Sequence, residues 1–379
     1  MAIAEKTTTE ATEAPVDPFA TYKEYGKERG YDLRWLERRD VWGRQLDAED
    51  RKGGLLLQDV DAGVAADVPD ESKNMTGRTR GSVPRSGVAR VGNYSVRTKS
   101  DIWLQNGAEL YEEAVARQWS SATDIPWHTI KPLPDDIERA ECQLATFITE
   151  VEFVAGDVPG KWISKVTPDY YEPRMYLISQ GMDEARHLDV FRKRALANGG
   201  GLMQRNGGIP SVVGGNIDAA RDFTEMSARL HISGEGSVLT LFRMGELMSY
   251  NDAEKHIYRL CAQDESRHVA FGVMHLKYLG AIDTERREEI QCYLDEAERA
   301  LVIGASGQNP AARGLPSNAA LAILLGGGDD KVDEGMKTLL AVRQRQVKEY
   351  VQRVRVAGFG ERFENGRANS MLEAYLKVN

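Results

Sequence analysis

Two pentapeptides of this chain, Asp183-Glu184-Ala185-Arg186-His187 and Asp264-Glu265-Ser266-Arg267-His268, are near copies of one another. Each contains Glu-x-x-His, and residues three apart lie on one face of a helix. A carboxylate and an imidazole therefore project together, a pair suited to holding one metal ion. A second copy on a facing helix supplies the other half of a two-metal site. One Glu-x-x-His carries little information, because helices are rich in Glu. Two copies that share the flanking Asp and Arg carry much more.

Such a site needs helices to position it, and the pattern along the chain supplies them. Helices are expected over Trp103 to Ser120, from Pro134 to near Pro159-Gly160, from Pro173 to Asn198, from Ile217 to about Met248, from Asp252 to Tyr278, from Thr284 to Ile303 and from Lys331 to Val356. Strand signals are sparse, so the fold class is all-α. Residues 1–17, rich in Thr, Glu and Ala, read as a disordered tail. Residues 18–100 read as a segment wrapping the core, with a basic patch at Arg78-Thr79-Arg80. The helical core is expected over 101–280, with a glycine-rich loop (Gly199 to Gly215) between its halves, and 281–379 as C-terminal helices packed on it. Each half of the core is a helix with a lone Glu followed by a Glu-x-x-His helix. Four-helix bundles that hold two iron or manganese ions are built in this way.

Composition sets outer bounds. The chain has 379 residues, 41% hydrophobic and 28% charged, as expected of a soluble globular protein. No apolar run approaches the roughly 18 residues of a membrane span, and the start has no signal-peptide pattern. A formal charge of −9 argues against a nucleic-acid binder; bound cations would offset part of it. Cys142, Cys261 and Cys292 form no CxxC pair, which points to a reducing cytoplasm rather than a disulfide scaffold.

The two remaining carboxylates should come from the helix before each Glu-x-x-His. Glu235, in Ile232-Ser233-Gly234-Glu235-Gly236-Ser237-Val238-Leu239, is a charge in an apolar helix, flanked by glycines that permit close packing. Burying it without a partner would cost several kcal/mol, and a cation removes that cost. Glu225 and Glu246 have more polar neighbours and read as solvent residues. In the first half both Glu150 and Glu152 flank the core stripe Leu144, Ile148, Val151, Ala155, and periodicity does not choose between them. His231 and His275 read as ordinary core or surface histidines, His128 and His256 as solvent-facing, and Trp127 as a packing residue at a helix junction. Arg192-Lys193-Arg194 reads as a solvated helix end, with docking of an acidic donor protein or an acyl-carrier phosphate as the alternative.

The order Glu, Asp-Glu-x-Arg-His, Glu, Asp-Glu-x-Arg-His resembles the ferritin-like di-iron carboxylate oxygenases, above all the large subunits of bacterial multicomponent monooxygenases acting on toluene, phenol or methane. The resemblance covers residues 103–280. It implies a ferritin-like four-helix bundle with flanking helices. It also favours Glu152, because the family's first lone Glu is followed by an aromatic and then small residues, as in Glu152-Phe153-Val154-Ala155. The resemblance then gives Glu152, Glu184 and His187 to one iron and Glu235, Glu265 and His268 to the other, with one or more glutamates bridging. It suggests crossed support, Asp183 holding His268 and Asp264 holding His187, with Arg186 and Arg267 balancing the acids. The chain departs from relatives at three positions. Phe191 stands where small subunits of ribonucleotide reductase carry a radical tyrosine, Leu239 where toluene- and methane-type enzymes have a threonine, and Cys261 where arylamine N-oxygenases have a histidine.

A carboxylate-rich set with two histidines suits iron or manganese better than copper. The implied activity is that of a di-iron monooxygenase: O₂-dependent oxidation, foremost hydroxylation, of a small organic substrate. Electrons would come from a separate reductase or ferredoxin, with or without a coupling protein, in a homo-dimer or hetero-oligomer. Phe153, Phe191, Leu239, Phe242 and Cys261 are expected to line the substrate cavity. The competing readings are an acyl-carrier-protein desaturase using the same site, an iron-storage ferroxidase, for which the chain is long, and a scaffold subunit, against which the intact ligand set argues.

Overall fold

Acidic residues after Pro134 and an asparagine at position 251 start the two longest helices, and both choices follow from the exposed amides of a helix N-terminus. The computed structural model describes residues 17, 19–20, 24, 30, 34–37, 53–64, 68–206, 216–305 and 315–377. The expected tail, residues 1–17, lies outside these apart from Asp17, and Gly207 to Gly215 of the glycine-rich loop also lie outside. In chain order the helices are α1 (Leu57–Val64), α2 (Gly107–Ala116), α3 (Asp135–Ile163), α4 (Tyr171–Leu196), α5 (Phe223–Ser227), a π-helical segment (Ala228–Glu235), α6 (Gly236–Met248), α7 (Asp252–Ile282), α8 (Thr284–Ala305), α9 (Pro316–Gly326), α10 (Val332–Val356) and α11 (Ser370–Lys377). Among the described residues there is no strand, only the isolated bridges Glu71 with Thr98 and Val96 with Val166. The protein is all-α.

Helix α3 begins with Asp135, Asp136 and Glu138 in its first turn, where negative charge complements the helix dipole. It runs through Pro159 to Ile163 rather than stopping there. Val158, Pro159 and Trp162 are buried, so packing outweighs the hydrogen bond that the proline removes. At the start of α7 the Asn251 side chain accepts the Glu254 N–H at 3.0 Å; the cap is Asn251, and Asp252 is the first helical residue.

Helices α3 and α4 form a hairpin with the most extensive helix–helix contact, and α6 packs on α7 in the same manner. Helix α4 also meets α7, which joins the two pairs. Around them α2 packs on α4, α8 on the π segment and α7, α10 on α6, and α9 bridges α3 and α10. The sequence did not mark α9, whose neighbours are rich in Gly, Pro and Asn; its Ala320, Leu321, Ala322 and Leu324 are buried.

Residues 68–100 tie onto the α3–α4 turn. The Tyr170 hydroxyl donates to the carbonyls of Asp70 (3.1 Å) and Arg97 (2.7 Å), and Ser72 donates to Asp169 at 2.7 Å. In the basic patch, Arg80 pairs with Glu172 while Arg78 reaches only to 3.7 Å from Asp169. These bonds fix the end of the hairpin from which α4 carries its ligand residues inward.

Candidate metal centre

Four helical segments each send carboxylates or imidazoles to one place: Glu152 from α3, Glu184 and His187 from α4, Glu235 from the end of the π segment, and Glu265 and His268 from α7. All six are at most 2% exposed. Their ligand atoms form two groups, Glu152, Glu184, His187, Glu265 and Glu184, Glu235, Glu265, His268, within each of which every atom lies within 4.8 Å of the others. Glu184 and Glu265 belong to both, so each would lie between two ions if both groups held one. His187 Nδ1 is 3.6 Å from Glu152, 3.4 Å from Glu184 and 3.4 Å from Glu265. His268 Nδ1 is 3.1 Å from Glu184, 3.8 Å from Glu235 and 3.5 Å from Glu265.

The outer ring nitrogens face the opposite way, onto two aspartates. His187 Nε2 lies 3.2 Å from Asp264 and His268 Nε2 lies 3.3 Å from Asp183. The pairing is crossed: each aspartate holds the histidine of the other pentapeptide. Arg186 bonds Asp183 and, at 2.9 Å, Asp264; Arg267 bonds Asp183 at 3.0 Å and Asp264 at 2.5 Å. Two arginines thus neutralise two aspartates, and the charge on the four inner glutamates is left over.

That residual charge decides what the cluster can hold. Two carboxylates 4.8 Å apart repel by roughly 3 kcal/mol at an effective dielectric of about 20. Five carboxylate pairs share a group here, so full ionisation costs on the order of 15 kcal/mol without counter-charge. The cluster relieves this with protons. Burial, aided by Glu184, holds the Glu152 carboxyl well above the usual range, and burial with Glu265 and Glu184 does the same for Glu235. Burial also opposes charge on Glu184, but His268 and His187 outweigh it and keep Glu184 well below the usual range. For His268, burial opposes a proton while Tyr176, Glu184, Glu235 and Asp183 outweigh that and raise it. His187 is raised in the same way, by Cys261, Asp264 and Glu152 against burial.

Hydrogen bonds do not satisfy the inner atoms. Glu152 Oε1, both Glu184 oxygens, Glu235 Oε2, Glu265 Oε2 and Nδ1 of His187 and His268 have no hydrogen-bond partner. Buried polar atoms are rarely left so, and here seven orphans from four helical segments converge. Two divalent cations would balance four carboxylates and take up these lone pairs. The residues fit a two-metal centre.

Residues outside the cluster complete its walls. Trp119 Nε1 donates to Asp264 at 2.8 Å, and its indole stacks on His187 with centroids 6.5 Å apart. Phe242 meets His187 edge-on at 6.1 Å and stacks on Phe191 at 5.4 Å. A buried chain runs from Ser227 through His231 Nδ1 (2.9 Å), His231 Nε2 to Gln180 Oε1 (3.3 Å) and Gln180 Nε2 to Glu235 Oε1 (2.8 Å). Burial, with His268 and His275 nearby, pulls the His231 imidazole down to about 3, so it is a neutral hydrogen-bonding link. The π segment places this chain: one wide turn advances Glu235 around the helix, and Arg353 Nε donates to the Ile232 carbonyl at 3.1 Å.

Several sequence expectations are corrected. Phe153 is not in the wall of the cavity beside the cluster; it is 60% exposed, because it follows the inward Glu152 by about 100° around the helix. Phe191, Leu239, Phe242 and Cys261 are buried, but they pack as core beside the cluster, and the cavity that reaches it has other walls. Glu225 is fully buried and ion-paired to Arg221 at 2.9 Å and Arg229 at 2.5 Å, so it does not face solvent. Arg194 does not belong to a solvated helix end either, since it is buried against Glu254 (2.7 Å) and Glu138 (2.8 Å). Glu150 points to the cavity wall, where it accepts the Asn206 N–H at 3.1 Å. Sequence reasoning missed Trp119, Gln180 and the role of His231; the only signal of Gln180 and His231 was polar character at positions that helical phase turns inward, and Trp119 lies in the non-helical stretch after Ala116.

No protein-family model matches the chain, and no curated protein matches it. Among the described residues no helix is long and apolar enough to cross a membrane.

Proposed function

We propose that the chain is the oxygen-activating component of a ferritin-like di-iron monooxygenase, with manganese as the alternative metal. Glu152, Glu184, His187, Glu235, Glu265 and His268 would hold the ions, with Glu184 and Glu265 between them. The observation that carries this reading is the convergence of seven unpartnered buried ligand atoms on one space bounded by four carboxylates. Two ferrous ions held there would supply the two electrons that begin O₂ reduction.

The chain's own residues prepare that site. Asp264 and Asp183 accept hydrogen bonds from Nε2–H of His187 and His268, which turns both Nδ1 atoms inward and raises their basicity. Gln180 occupies Glu235 Oε1 and leaves Oε2 for a metal. Trp119, Phe191 and Phe242 cover the His187 side and keep water from it. Tyr176 and Phe271, stacked at 4.8 Å, are both buried, and Tyr176 lies within electrostatic reach of His268. No nucleotide-binding motif is present in the sequence, so electrons would arrive from a separate reductase or ferredoxin.

Reconstitution with ferrous iron under nitrogen tests the reading. The reading expects two irons per chain, rapid O₂ uptake by the reduced protein, and product mass increased by one oxygen. Loss of two hydrogens would move the assignment to a desaturase, and mineralisation of many irons per chain to storage. Failure to retain iron would end it.

A further inference from the structure

Beside the cluster lies a cavity of about 220 Å³ whose wall includes Glu152, Glu235 and Glu265. Most of the wall is apolar, with Val154, Leu230, Val238 and Leu301 among its residues. At roughly 30 Å³ per liquid water, the space equals about seven waters, the bulk of a small ring or a short chain. Its polar side chains outside the cluster are unevenly distributed in charge, and that distribution selects a ligand.

Arg343 of α10 is a half-buried guanidinium on this wall. It donates to Gln346 Oε1 and Asn318 Oδ1, both at 2.9 Å, and forms no ion pair among the described residues. Most other buried arginines are paired with acids: Arg80 with Glu172, Arg194 with Glu138 and Glu254, Arg362 with Asp295 and Glu298. The second cation on the wall, Arg229, is already taken by Glu225 and Glu296. The wall acid outside the cluster, Glu150, is engaged by the Asn206 N–H.

Asn206 adds an independent sign. It is 5% exposed, and its Oδ1 accepts the Ser317 N–H at 2.8 Å, which leaves its Nδ2 buried at the wall with no partner. Ser317 and Asn318 are in the first turn of α9, so the positive end of that helix faces the same space. An unpaired guanidinium, an orphaned amide donor and a helix N-terminus together ask for an acceptor carrying negative charge.

Building on the oxygen-activation reading, we infer that the cavity takes a small organic acid, its carboxylate held by Arg343 and Asn206 and its apolar body extending toward the carboxylate cluster. A neutral hydrocarbon would leave both donors unmet, and an amine would meet Arg343 with like charge.

Calorimetric titration with benzoate, benzyl alcohol and benzylamine, on protein with and without Mn²⁺, tests this. Benzoate should bind about tenfold or more tighter than the other two, as a charge-assisted hydrogen bond allows. Arg343→Gln should remove that preference while leaving benzyl alcohol binding unchanged, and Arg343→Lys should retain most of it. Circular dichroism confirms that each variant is folded. Equal affinity for benzoate and benzyl alcohol in the wild-type protein, or an unaltered benzoate affinity in Arg343→Gln, would overturn the inference. Acid preference without metal binding would sink the oxygenase reading alone. Metal binding and O₂ uptake without acid preference would sink the cavity assignment alone.

Discussion

Adding divalent metal to the metal-free protein should expel protons, and their number follows from the cluster. Glu152 and Glu235 are held well above the usual carboxyl range, and His187 and His268 well above the usual imidazole range. Any proton that these two carboxyls and two imidazoles hold must leave before all six ligands can bind, so filling both positions releases protons, at most about four. The sign is fixed: acid competes with metal. Each bound proton displaced costs about 1.4 kcal/mol per pH unit of acidification, so the two-ion constant should weaken by up to roughly 5 kcal/mol per unit while all four remain protonated. Binding also stabilises the fold. At a free metal concentration one hundred times Kd, each ion adds about 2.7 kcal/mol. Residues 50–379 form one compact unit, and its unfolding entropy of roughly 0.7 kcal/mol/K converts this to a Tm rise of about 4 °C per ion. Titration calorimetry with Mn²⁺ in buffers of different ionisation enthalpy counts the protons, and thermal unfolding from pH 6 to pH 8 reads the rest. Fewer than one proton released, or a metal-induced Tm shift that does not shrink on acidification, would refute the reasoning.

Other outcomes follow from the same geometry. Asp264→Asn removes the charge and one of the two acceptor oxygens shared by His187, Trp119, Arg186 and Arg267, and should weaken metal binding about 10- to 100-fold, read by competition with a chelator. Glu150→Gln should keep both ions whereas Glu152→Gln loses at least one; metal content per chain decides. Burial, then Glu254, pushes the Glu141 carboxyl on α3 up to about 8. Its cost to folding is absent below the ordinary value of 4.5 and grows as pH rises toward 8. Glu141→Gln should thus stabilise the metal-free protein by at most about 3 kcal/mol at pH 7 and by nothing at pH 4, measured by urea unfolding. A methyl group on Gly272 would collide with His231, so Gly272→Ala should lower Tm and loosen the Gln180–Glu235 link, detectable as weaker metal retention.

How far the site could be read in advance depended on how much of it lies in local pattern. The two pentapeptides are local, and their helical phase alone puts Glu184 with His187 and Glu265 with His268. Glu235 was legible because a charge between glycines in an apolar stretch needs a buried counter-charge. Glu150 and Glu152 were not separable by period, since both flank one stripe; tertiary packing turns Glu152 to the centre and Glu150 to the cavity wall. The π turn before Glu235 left no mark in composition, and neither did the continuation of α3 through Pro159, where long-range burial overrides a local breaker. Phe153 shows the opposite error, in which an aromatic beside a ligand suggested a pocket although one residue further along the helix points outward. Buried pairs such as Arg194 with Glu138 and Glu254 join residues distant in sequence, and charge runs alone make such residues look solvated. The cavity wall at Arg343 and Asn206 depends on α9, a short helix between loop residues, so nothing local announced it.

The central claim is that six side chains on four segments hold a pair of neighbouring metal ions. Mössbauer spectroscopy of protein reconstituted with isotopically enriched iron and then exposed to O₂ addresses it most directly. The account predicts two irons per chain in a magnetically coupled diferric pair. A single uncoupled ferric ion, or iron removed by a desalting column, would contradict it.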